Sequence, residues 1–231
     1  MSMTYTITFQ NDHGNDGHYA VFLDPPKVAG PFITPEVFTN AWISTFVRDG
    51  GRYDIRTTDE TFAWCGEAPE RPSVGVTVRG GVSQPAPLGY EKYGKTTPGS
   101  TFEMIVDRGV PDLMPIPSSA RVAAYKIDTG NSLPDLNDRH LFGLGKIDGN
   151  GLVTPVASAL ATNNTSICLT PSMKFYISQS NAEAGEIVDF SSVLKEAGVI
   201  DFSSGPGAGK HGAAIIHRDN GTFDVTYHDD Y

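Results

Sequence analysis

Six histidines, His13, His18, His140, His211, His217 and His228, are the side chains in this sequence best suited to moving protons near neutrality. His217 follows Ile216 in an alternating run, so a strand there would turn its imidazole inward. Beside a carboxylate such as Asp224 it would serve as a general base; with both ring nitrogens satisfied it would be a structural histidine. Arg56 and Tyr53 are the other candidates for catalytic help, one electrostatic and one acid–base, should the chain form a pocket around them. His13 and His18 bracket a loop with Asp12 and Asp16, yet a metal site needs a third ligand placed by the fold. No complete ligand set can be assembled, so neither metal nor cofactor is expected.

Two glycine-rich stretches resemble ligand loops only superficially. Gly205-Pro206-Gly207-Ala208-Gly209-Lys210-His211 lacks the spacing of a phosphate loop, ends in His, and runs into a strand rather than a helix. Asp148-Gly149-Asn150-Gly151 begins like a calcium loop without its later ligands, and reads as a hairpin turn. The pair Cys65 and Cys168 is too widely spaced for a zinc ribbon or a redox motif; two unbridged, buried thiols are expected.

The elements that would position such groups begin with Asn40 to Cys65, which holds both tryptophans, Trp42 and Trp64. Three apolar–polar runs separated by turn residues predict three consecutive antiparallel strands of one sheet, the two indoles facing one space. Trp42, Phe46, Tyr53, Phe62, Trp64 and Tyr125 fill the core by default; the sharper reading makes them ligand-binding residues that line a pocket between the sheets.

Elsewhere, Tyr5, Ile7 and Phe9 alternate in an opening strand, and Tyr19 to Leu23 forms a second that stops at Asp24-Pro25-Pro26. A proline-bearing link through Pro31 and Pro35 leads to the tryptophan stretch. Val74, Val76 and Val78 predict a strand, Gly80 to Ser100 a long exposed loop, and Pro111 to Pro117 an irregular segment. Two hairpins are expected, around Asp148–Gly151 and around Asp219-Asn220-Gly221; Ser191 to Ala197 is the one helix-like piece, and His228-Asp229-Asp230 a polar tail. About fourteen short strands with frequent turn signals predict an all-β, two-sheet antiparallel sandwich with long loops, a single domain over residues 1–231.

Composition agrees: 25 Gly and 16 Pro in 231 residues favour turns over helices. A net charge of −10 with no Lys/Arg cluster argues against nucleic-acid partners. No run approaches the roughly 20 apolar residues of a membrane span, and the N-terminus lacks the basic and apolar regions of a secretory signal, so a cytoplasmic setting is expected.

The opening Ile7-Thr8-Phe9-Gln10-Asn11 strand, Asn40-Ala41-Trp42, Phe62-Ala63-Trp64, and Gly185-Glu186-Ile187-Val188-Asp189 preceded by Asn181 resemble, in kind and order, the RhiA-like family of bacterial and fungal proteins. The resemblance implies an all-β fold and a cytosolic setting, and brings no catalytic residue. Three functions stay open: a module binding a small, largely apolar molecule in an inter-sheet pocket; a cofactor-independent isomerase or cyclase of specialised metabolism; and a lectin-like or protein-binding module using Tyr90 and Tyr93. The oligomeric state is open, a homodimer included.

Overall fold

Alternation builds the first strand as expected. In Thr4–Asp12, Tyr5, Ile7, Phe9 and Asn11 are buried while Thr6, Thr8 and Gln10 are only partly covered. The computed structural model describes residues 2–30 and 35–229, so Pro31 of the proline-bearing link and Asp230 of the tail lie outside the described residues. Among them are twenty-one strands and one α-helix, Phe190–Glu196.

The strands form five sheets, not the two of the expected sandwich. The first places Thr4–Asp12 between Gly212–Arg218, parallel to it, and Arg52–Thr58, antiparallel; Phe223–His228 closes its far edge. The second runs Gly198–Asp201, Lys174–Gln179, Gly17–Leu23, Ile43–Val47. A third, of five strands, is edged by Val110–Ala120 and Lys27–Ala29. The fourth has six strands in the order Ile187–Val188, Val37–Asn40, Val153–Leu160, His140–Ile147, Phe62–Glu67, Arg79–Pro85. The small hairpin of Tyr90–Lys92 and Lys95–Thr97 stands apart.

Consequently the three strands of the tryptophan stretch do not pair with one another: Ile43–Val47, Arg52–Thr58 and Phe62–Glu67 enter three different sheets. The Asp49-Gly50-Gly51 turn, with Gly50 at φ 69°, docks on Asn11 of the first strand instead of zipping a hairpin. The physical reason is burial. Gly17–Leu23 is covered at every position but His18, so it needs apolar layers on both faces, which a half-wet three-stranded sheet cannot supply.

The largest core draws Ile7 and Phe9 from the first sheet, Val21 and Phe175 from the second, Met104 and Ile127 from the third, and Phe142 and Leu144 from the fourth. A smaller cluster of Trp64, Leu141, Val76, Val78 and Ile187 lies on the other face of the six-stranded sheet. A third, with Ala20, Phe22 and Tyr176, is covered by Phe190 and Val193 of the helix, whose N-terminus Asp189 caps.

Other expectations need correction. Residues 73–78 make no strand: Val76 and Val78 are buried, Val74 is 66% exposed, and the turns at Gly75 and Gly185 dock this segment on Ile187. Gly80 to Ser100 carries Arg79–Pro85 and the Tyr90 hairpin, because the long partner Phe62–Glu67 offers a free edge for pairing. Pro111 to Pro117 lies within the strand Val110–Ala120; being an edge strand, it tolerates prolines that lack an N–H, and they blunt the edge. The two hairpins form where expected, Gly212–Arg218 with Phe223–His228 and His140–Ile147 with Val153–Leu160, the latter with a bulge at Leu144/Gly145. Cys65 is buried and Cys168 half-buried, both free thiols; burial and then Asp112 push Cys65 up to about 12, so it is an inert thiol. Among the described residues no helix is long and apolar enough to cross a membrane.

Candidate functional site

Asn40 is the residue on which one open edge of the fold is hung. Its buried amide donates to the Gly185 carbonyl at 2.8 Å, and its carbonyl oxygen accepts from the Ser158 hydroxyl. Ala41 exchanges backbone bonds with Gly185 and Glu186, and Gly185 sits at φ 86°, where a Cβ would lie 2.4 Å from the Val78 carbonyl oxygen. Together these contacts fix three neighbouring strand segments, Ile187–Val188, Val37–Asn40 and the end of Val153–Leu160, in register.

Above that edge lies a groove of about 670 Å³. Phe38, Leu160 and Ile187 form its apolar floor, Val74 and Pro72 one wall, and the Asp189–Ser191 start of the helix the other. Trp64 packs in the same cluster as those floor residues, one layer beneath, with its Nε1 donating to Ala157 O at 3.2 Å. Arg71 stands on the rim, exposed, and makes no ion pair or hydrogen bond with the described residues. Asp189 is occupied: its carboxylate accepts from Ser192 and Ser191, which hold it below the usual carboxylate range. Of the pieces that carry the family resemblance, Ile187 to Asp189 line this groove, Trp64 lies in the cluster behind its floor, and Asn40 and Ala41 hold the Gly185 turn beside it.

The inter-sheet space is filled instead. The gap there, lined by Val28, Phe142, Ile167 and Leu169, is about 10 Å³, roughly the volume of one water probe. The six candidate aromatics are accordingly dispersed. Trp42 and Tyr125 lie wholly within the large core, Tyr125 donating its hydroxyl to Gly143 O at 3.0 Å. Trp42 approaches Phe175 at 5.9 Å, and its indole N–H is buried without a partner among the described residues. Ala63 and Cys65 face that core, which turns Trp64 to the opposite side of the sheet; the two indoles share no space. Phe46 is 52% exposed against His18, Tyr53 is half-buried opposite Phe9, and Phe62 lines a small cleft with Arg56.

His217 is buried, as the alternation indicates, but its partner is not a carboxylate. Asp224 pairs with Arg218 at 2.7 Å because the antiparallel register sets His217 against Phe223. Its Nδ1 meets the Tyr19 hydroxyl at 2.8 Å, and Tyr19 donates to Asn11 Oδ1 at 2.9 Å. Asn11 is oriented by its own amide, which donates to the Asn15 and Val47 carbonyls, and by the His13 N–H, which donates to its Oδ1. Tyr19 must therefore spend its single proton on Asn11, so His217 donates from Nδ1 and carries its lone pair on Nε2. Burial pushes the Tyr19 hydroxyl up to about 12, so it keeps that proton. Burial, and next the stacked His13 ring 4.2 Å away, lower the His217 imidazole and hold it neutral. His13 goes to His217 and His18 to Phe46, so these two do not converge, and among the described residues no three metal-ligating side chains do.

The chain is therefore a nearly all-β, multi-sheet protein with an open, apolar-floored groove on the back of its largest sheet. It belongs to the RhiA family: the family model matches residues 2–227. Comparison with the curated proteins and with the solved structures found no match to either.

The bulkiest aromatics do not line the groove; Phe38, Leu160, Val188 and Phe190 do, and they have no sequence signal in common beyond being apolar. Only the packing order of the six-stranded sheet brings them together.

Proposed function

We propose that this protein binds a small, largely apolar molecule in the groove floored by Phe38, Leu160 and Ile187. The observation that carries the reading is the groove itself: about 670 Å³ falls within the roughly 300–1,000 Å³ of small-molecule sites, and its floor is apolar. Arg71 on the rim suits a ligand with an anionic or polar end. Among the groove's carboxylates, Asp189 is committed to its serines, which disfavours acid–base chemistry there and ranks the isomerase or cyclase reading second. The lectin-like reading draws support from Tyr93, 95% exposed on its separate hairpin, and ranks third.

Trp64 lies directly under the groove floor, so its emission reports occupancy. In a Trp42→Phe background, where Trp64 is the remaining indole, decanoate and decanol are titrated while emission is followed. A saturable change that Val74→Glu weakens is expected, since Val74 is an exposed wall residue whose replacement spares the core. Absence of any saturable change with either probe would overturn the reading.

A further inference from the structure

Lys146 is a lysine where a lysine is not expected. It is 2% exposed, on the bulged strand His140–Ile147, and its stem crosses toward the Thr58–Glu60 turn. The Nζ donates to the carbonyls of Thr58 and Glu60 and lies 3.9 Å from Met173 Sδ. Among the described residues no carboxylate forms an ion pair with it. Burial, only partly offset by the field of Asp59 and Glu60, brings this amine down to about 8.

The lysine also lines a cleft of about 140 Å³, walled by Arg56, Thr57, Thr58, Glu60, Phe62 and Ile147. That volume is roughly five waters, which admits a compact molecule and excludes anything the size of the groove's ligand. The Arg56 guanidinium is exposed and forms no ion pair or hydrogen bond with the described residues. Thus a neutralisable amine and an uncommitted guanidinium line one small space.

From this geometry we propose that Lys146 is a covalent attachment site for small carbonyl compounds, with Arg56 selecting those that carry a carboxylate, the short 2-oxo acids. In the neutral amine, two N–H bonds stay on the Thr58 and Glu60 carbonyls and the weak contact to Met173 Sδ is given up, which leaves the lone pair to attack. The C–N bond forms as the C=O π pair moves to oxygen. The two amine hydrogens and that oxygen then leave as one water, giving a C=N bond. Uptake of one proton from solvent gives an iminium whose single N–H retains one of the two carbonyl partners.

The test needs no variant that risks the fold. Wild-type protein at about pH 8 is treated with glyoxylate or with acetaldehyde in the presence of cyanoborohydride, and labelled lysines are mapped by peptide mass spectrometry. At that pH the neutral fraction of an amine at about 8 is on the order of a hundredfold that of an ordinary lysine at 10.5. Lys146 should therefore carry about tenfold or more label than the exposed Lys92 and Lys95, allowing for the lower nucleophilicity of a weaker base. Arg56→Gln, an exposed substitution, should reduce glyoxylate labelling at Lys146 while leaving acetaldehyde labelling unchanged. Labelling at Lys146 no greater than at Lys92 and Lys95 overturns the proposal and leaves a structural clip for the Thr58–Glu60 turn. Equal loss of both labels in Arg56→Gln overturns the selection of 2-oxo acids.

Discussion

Asn11 decides the chemistry of a residue far from it in sequence. Its amide orientation commits the Tyr19 proton, and that commitment puts the His217 lone pair on Nε2. A neutral His217 carries a pH signature whose sign is fixed. The folded-state value lies below the ordinary 6.5, so the unfolded chain binds the proton more readily. The stability associated with the neutral ring is fully present above about 6.5 and is lost as pH falls below it. His217→Asn keeps a donor in the Nδ1 position without the titration. Thermal melts between about pH 7.5 and pH 5 should show a smaller drop for this variant than for the wild type; an equal drop would place the acid sensitivity elsewhere. Trp64 gives a second test at this scale. Buried at 2% exposure and bonded through Nε1, it is core beneath the groove rather than a wall of it. Trp64→Ala should cost about 3–5 kcal/mol in denaturant unfolding, and Trp64→Phe distinctly less. A cost below about 1 kcal/mol for the alanine variant would contradict that packing.

Single strands in this protein are defined as much by close backbone approach as by their apolar faces. Gly143, in the strand His140–Ile147, is opposite Trp64 on one side and Ser158 on the other. A Cβ there would fall 2.0 Å from the Ala157 carbonyl oxygen, the same atom that accepts the Trp64 indole. The strand cannot move away, because Gly143 O holds the buried Tyr125 hydroxyl. Gly143→Ala should therefore destabilise by about 1–3 kcal/mol or more, as overpacking does, although alanine is no worse than glycine in a strand by propensity. Urea unfolding of the variant checks it; an unchanged midpoint would mean the ladder has slack that the geometry does not suggest.

The first and last described strands lie in one sheet. Thr4–Asp12 lies parallel to Gly212–Arg218, and Phe223–His228 returns antiparallel beside the latter, so Thr6 and His228 both flank Gly212. Thr6 and His228 are thus two interstrand steps apart, roughly 10 Å. A circular permutant that joins Tyr231 to Met1 through a short Gly-Ser linker, and opens the chain at Tyr93-Gly94 in the exposed hairpin, should fold. A β-rich far-UV spectrum and a cooperative melt are expected. An aggregated or molten product would show that the order of synthesis, not only the pairing, is needed to assemble the first sheet.

What the sequence determined by itself is local. Period-2 burial in Thr4–Asp12 and Gly212–Arg218, the two Gly/Asn turns and the short helix at Ser191 were legible because each is set by residues adjacent in the chain. The all-β class follows from their sum. What only the tertiary structure decided is partnership. Nothing in Ile43–Val47 or Arg52–Thr58 says that they part at Gly50 for different sheets, since period-2 alternation names a buried face and not the strand beside it. The same holds for Trp42 and Trp64, turned to opposite sides of the six-stranded sheet, and for His217, given Tyr19 in place of Asp224 by a register of one residue. Lys146 and the groove floor were invisible for the same reason. A lysine next to a turn and three scattered apolar residues acquire meaning only when distant strands bury the one and align the others.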